Sequence, residues 1–137
     1  MKPTPAILLM FTLFLGSCVT KIDISKEALF KNVVGRPIRT KTPLNLYEID
    51  FQLNGYKDRY QLGGQISAQP LVGIIPTGSS VFFDRAIRRT DMGVSSLYLE
   101  GCIPFQTKTY PIACFLGMSN ADSKNILIGL HSDYELP

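Results

Sequence analysis

The chain has no tryptophan and a single histidine, His131. A zinc site takes three or four ligands from cysteine, histidine and carboxylate. His131, with only Asp133 and Glu135 near it, does not supply that set, so no metal is expected. A serine nucleophile needs a base within hydrogen-bond reach, and His131 is the lone conventional base. No Gly-x-Ser-x-Gly motif occurs, and Gly63-Gly64 is not followed by a phosphate-loop pattern. Charge of one sign is also scarce. Fourteen basic against 11 acidic residues give +3, too near neutral to indicate nucleic acid. No apolar run approaches the roughly 20 residues of a membrane-spanning helix. These absences predict a protein without cofactor and without turnover.

What is present begins at the N-terminus. Met1-Lys2 is followed by an apolar run from Ala6 to Leu15, then by Gly16 and Ser17. A basic start, a short apolar core and small residues before a cleavage point make a secretory signal peptide over residues 1–17. The sequence Leu15-Gly16-Ser17-Cys18 resembles the lipobox of bacterial lipoproteins. The resemblance implies a thioether-linked diacylglyceryl group on Cys18, cleavage before it, and acylation of the new amino terminus, for example with palmitate. One acyl chain holds a protein marginally and two or more hold it stably. Residue 19 is Val rather than Asp, which in the sorting rule of such lipoproteins points to the outer membrane, facing the periplasm. Residues 18–24 then form a lipidated tether and residues 25–137 a single small domain. Lys21, Lys26, Lys31, Arg36, Arg39 and Lys41 follow the lipid, against Asp23 and Glu27. This stretch reads either as a solvated linker or as a strip for anionic headgroups, at about 1 kcal/mol per basic residue.

With Cys18 committed to lipid, Cys102 and Cys114 remain. An exported protein meets an oxidising compartment, so the pair is expected to form a disulfide. The alternative is two buried free thiols acting as small hydrophobes.

The body of the chain reads as strands. Ser25 to Asn32 is expected to form one short N-terminal helix, with Ser25 as its cap and Gly35 and Pro37 ending it. Tyr47, Ile49, Phe51 and Leu53 then alternate with polar residues, the period of a half-buried strand. Asn54-Gly55 is a hairpin turn, and Tyr56 to Leu62 is the return strand. Further strands are expected at 71–75, 81–89 and 94–103, and two shorter segments, 105–110 and 112–116, bracket Pro111. Turns fall at Pro76-Thr77-Gly78-Ser79 and Asp91-Met92-Gly93, and a last alternating strand over Ile126, Ile128 and Leu130. The fold class is mainly β, a small antiparallel barrel or sandwich. Gly35 to Ile103 is faintly similar to a bacterial SH3-like barrel. The likeness rests on Leu46-Tyr47-Glu48, the Asn54-Gly55 hairpin and Ile75-Pro76-Thr77-Gly78-Ser79 leading into a strand. Such domains often line a peptide groove with tryptophan, which this chain lacks.

Two clusters are candidates for binding. Tyr47, Tyr56 and Tyr60 surround the first hairpin, where tyrosines serve either interfaces or cross-strand packing. Arg85, Arg88 and Arg89 share a strand, whose alternation puts Arg85 and Arg89 on one face and Arg88 on the other. The first reading is a membrane-anchored, non-catalytic module that binds a periplasmic protein or a cell-wall partner. The alternatives are an inhibitor or immunity lipoprotein against a hydrolase or toxin, and a small hydrolase.

Overall fold

A computed structural model describes residues 19–49, 59–63, 69–118 and 123–137. The expected signal peptide, Cys18, the Asn54-Gly55 turn and Tyr56 lie outside the described residues. The chain is mainly β, with one curled sheet forming a half-barrel and a short helix near the C-terminus. The strands are β1 (Thr20–Asp23), β2 (Pro37–Thr40), β3 (Leu44–Glu48), β4 (Tyr60–Gly63), β5 (Leu71–Ile75), β6 (Ser80–Asp91), β7 (Val94–Phe105), β8 (Lys108–Met118) and β9 (Tyr134–Glu135); the helix is α1 (Ser123–Asp133). Across the sheet the order is β5-β3-β4-β8-β7-β6-β2-β9, and β1 adds to β6.

The three longest strands form the centre. β6 turns into β7 through Met92 (φ 48°) and Gly93 (φ 78°), and β7 turns into β8 through Gln106 (φ 54°). One neighbouring pair breaks the antiparallel pattern expected from the sequence: β4 runs parallel to β8 over Tyr60–Ile112 and Gln61–Ala113. Because β8 sits between β4 and β7, the ladders β5-β3-β4 and β7-β6-β2 are joined within the sheet, among the described residues, through residues 108–118.

The inner face carries the core. Phe83, Leu99, Ile103 and Ile112 from the central strands meet Leu44 and Leu46 of β3, all fully buried. Aromatic rings help close the curl. Phe105 lies so close over β5 that a Cβ on Gly73 would come within 2.5 Å of its ring. Phe105 also faces Tyr110, which meets Tyr60 edge-on at 4.9 Å between centroids. Such an edge-to-face pair contributes about 0.5–1.5 kcal/mol beyond the area it buries.

Thr40 is a buried polar residue whose bonds are all made. Its hydroxyl donates to the Pro76 carbonyl (2.9 Å) and accepts from the Ser79 amide (3.0 Å), clasping the turn that Gly78 makes at φ 83°. A buried hydroxyl with both roles filled escapes the desolvation penalty of an unpaired one.

Two expected elements differ. The N-terminal helix reduces to one 3-10 turn, Ala28–Phe30. Ser25 is drawn away from capping: its hydroxyl donates to the Asp23 carboxylate (2.5 Å) and accepts from the Ala86 amide of β6 (2.9 Å). The last strand is instead the helix α1. Ile126 and Leu130, four apart, are buried, while Ile128 between them is exposed. One face of a helix, not of a strand, explains that burial. Lys41 secures the helix end: its amide donates to the Asp133 carbonyl and its amine to the His131 carbonyl. A cation at the helix C-terminus also complements the helix dipole.

Candidate functional site

The outer face of the sheet holds the most distinctive polar group in the molecule. One row of ladder partners runs across four neighbouring pairs: Tyr47, Gln61, Ala113, Glu100 and Arg85. Glu100 is only 3% exposed. Its carboxylate accepts from Arg85 at 2.7 Å and pairs with Arg59 at 3.5 Å. Arg59 is further fixed by donating to the carbonyls of Gly101 and Ile112. Arg85 keeps half its side chain in solvent. The buried acid thus holds a forward-facing guanidinium in place. Charge-assisted, geometrically fixed arginine contacts of this kind are strong and specific.

The register explains why Arg85 faces outward. β6 carries an irregularity between Phe83 and Arg85, where one extra residue shifts the pairing with β7. Bulges of this kind re-aim a side chain. Glu100→Gln should lose about 1–3 kcal/mol of unfolding free energy, because it weakens two charge-assisted bonds at a buried acceptor. Chemical denaturation monitored by circular dichroism measures it.

Where β4 and β8 part, beyond Gln61 and Ala113, a cavity of about 400 Å³ lies between them and α1. Leu62, Leu99, Ile126 and Leu130 give it an apolar lining, and Tyr47, Gln61 and Phe115 contribute from the outer-face register. The volume lies within the roughly 300–1,000 Å³ of small-ligand pockets. Cys114 and Tyr134 also line it, with sulfur and hydroxyl 4.0 Å apart. Burial pushes the Cys114 thiol up to about 12 and the Tyr134 hydroxyl well above its ordinary range. Both are therefore neutral at physiological pH. A thiol that is not a thiolate is a poor nucleophile.

The sequence-predicted residues are dispersed. Tyr47 is buried at the cavity, Tyr60 belongs to the aromatic stack, and Tyr56 lies outside the described residues. Arg85 and Arg89 share the outer face, as alternation requires. Arg89 is itself buried, 3.5 Å from Asp91, and Arg88 on the other face reaches Glu27. His131 sits on α1 beside Leu29, Leu127 and Leu136 and does not line the first cavity. Among the described residues no group of three metal-ligating side chains occurs, and no helix is long and apolar enough to cross a membrane. Sequence reasoning missed Glu100, Arg59, Thr40 and Phe115. A lone glutamate in an apolar strand was the one available signal, since a buried acid requires partners.

The expected disulfide is absent: Cys102 and Cys114 are free thiols. Cys102 pairs with Pro111, and Cys114 pairs with Leu99. Three rungs separate them, about 10 Å along the strand, and an odd number of rungs puts them on opposite faces. A bridge requires Cα atoms within about 7 Å. Alkylation of the folded protein without reductant should therefore label Cys102 readily and Cys114 only after denaturation. A disulfide-linked peptide in a non-reduced digest would contradict this.

Comparison with protein-family models, with curated proteins and with solved structures finds no match. The functional reading therefore rests on the chain's own chemistry.

Proposed function

We propose that this chain is a lipid-anchored, non-catalytic binding module of the bacterial cell envelope. Cys18 holds it on the outer membrane, and the outer face of β6, β7 and β8 meets a periplasmic protein or cell-wall partner. One observation carries the reading. Glu100 and Arg59 fix Arg85 on a face that also exposes Phe82 and Phe115. An antiparallel sheet with one solvated side ordinarily alternates apolar-in and polar-out. Here exposed aromatic rings and a fixed arginine share the solvent side, and these residue types most often dominate protein interfaces. The neighbouring cavity, with its apolar lining, adds space for a bound group at the edge of that face.

The test has two arms. Cys18→Ser should abolish fatty-acid labelling and leave precursor or soluble protein; retained labelling would remove the anchor. Phe115→Ala should lose the partner recovered from envelope extracts by the wild-type protein, with melting temperature nearly unchanged. Arg85→Ala should lose it together with some stability, because it removes the 2.7 Å partner of buried Glu100; Arg85→Lys, which keeps the charge, separates the two effects. His131→Ala should retain it. Hydrolysis of peptidoglycan, peptide or ester substrates that His131→Ala removes would overturn the reading.

A further inference from the structure

The two ends of the central strands differ in chemistry. At one end, the turns are polar: Pro76-Thr77-Gly78-Ser79 before β6, and Gln106-Thr107 between β7 and β8. At the other, the β6–β7 turn presents Met92, which is 88% exposed. Val94 beside it is 51% exposed, and Met118, on the rung with Ser96, is 45% exposed. Val19 joins the same end at 49%, because Thr20 pairs with Thr90.

Met92 is the informative residue. It holds φ 48°, followed by Gly93 at φ 78°. A tight turn with two positive φ values favours Asn or Asp followed by Gly. A methionine there accepts backbone strain and leaves most of its side chain in solvent, with no compensating contact among the described residues. Such a residue suits an apolar surface outside the chain.

The course of the chain identifies what lies outside. Cys18 directly precedes Val19 in the chain, and Val19 stands one residue before the Thr20–Thr90 pair. Thr90 is itself two residues from Met92. A lipid on Cys18 would therefore be attached next to Val19, at this end of the sheet. We propose that the β6–β7 turn, with Val94, Met118 and Val19, rests in the interface of the bilayer that holds the lipid, and so fixes the orientation of the domain. This rests on the lipid anchor proposed above. The sheet then stands on the membrane by its apolar end. The polar turns point into the periplasm, roughly 35 Å away along the strands.

Absence of tryptophan makes the test direct. The full-length protein, purified from bacterial membranes, is reconstituted into phosphatidylethanolamine–phosphatidylglycerol vesicles with brominated acyl chains. M92W and M118W each introduce one fluorophore at the apolar end, and T107W introduces one at the far end. Bromine should extinguish most of the emission of M92W and M118W and leave that of T107W. Equal emission from all three, with Cys18 lipidated and the protein vesicle-bound, overturns the proposal and leaves the anchor standing. Shielding of M92W without bromine quenching, rising with protein concentration, would place a second copy at the turn and also overturns it. Absence of lipid on Cys18 by intact mass removes the anchor and the proposal together.

Discussion

Gly101→Ala should destabilise this domain more than the same change at Gly73 or at the glycines with open space around them, Gly63 and Gly129. A Cβ on Gly101 would overlap the Phe82 carbonyl oxygen and lie 2.8 Å from the Phe83 Cα. Both are backbone atoms of the neighbouring central strand, held by the irregularity that turns Arg85 outward. Backbone in the middle of a sheet cannot step aside without breaking its ladder. Overpacking a core typically costs about 1–3 kcal/mol when side chains can yield; here the loss should reach or exceed the top of that range. For a domain of this size the melting temperature should fall by roughly 10 °C or more. Gly73→Ala supplies the contrast. Its Cβ also meets an atom at 2.5 Å, but that atom belongs to the Phe105 ring, which can rotate. Gly73→Ala should cost clearly less. Equal losses in thermal melts of the two variants would contradict the argument.

Phe83→Ala should be the second large loss, about 3–5 kcal/mol. The side chain is fully buried, in the same core cluster as Leu99 and Ile112, and meets Tyr134 edge-on at 5.5 Å between centroids. Tyr134 starts the last strand directly after α1. Truncating Phe83 therefore opens a cavity and removes one of the contacts that hold the C-terminal segment to the sheet. Phe82→Ala, one residue away on the outer face, should cost far less, since much of that ring is in solvent. Denaturant titrations of the pair distinguish the two faces of β6; equal midpoints would mean that the assigned alternation is wrong.

Much of the sheet was legible because period-two patterns and turn residues act locally. Pro76-Thr77-Gly78-Ser79 and Asp91-Met92-Gly93 announce their turns, and β5, β6 and β7 fall between them within a residue or two. The misreadings have physical causes. Ile126, Ile128 and Leu130 satisfy both a strand period and, through the first and last, a helical i, i+4 pair. Only the third dimension decides between them. Ser25 has the chemistry of a helix cap, but a long-range amide, that of Ala86, competes for its hydroxyl. The Cys102–Cys114 pairing was argued from compartment. Strand register, which puts an odd number of rungs between them, decides otherwise. The Glu100 cluster draws on Arg85 of β6, Glu100 of β7 and Arg59 just before β4. Spatial assembly of this kind leaves no trace in sequence spacing.

The central claim is that the outer face of β6, β7 and β8 meets a partner in the envelope. Its most direct test places a photo-crosslinking amino acid singly at positions 82, 85 and 115, and at Ile128 on the exposed side of α1, in cells expressing the full-length protein. The account predicts one adduct of the same mass from positions 82, 85 and 115 and none from position 128. Adducts from position 128 alone, or none from the three sheet positions in membrane-bound protein, would contradict it.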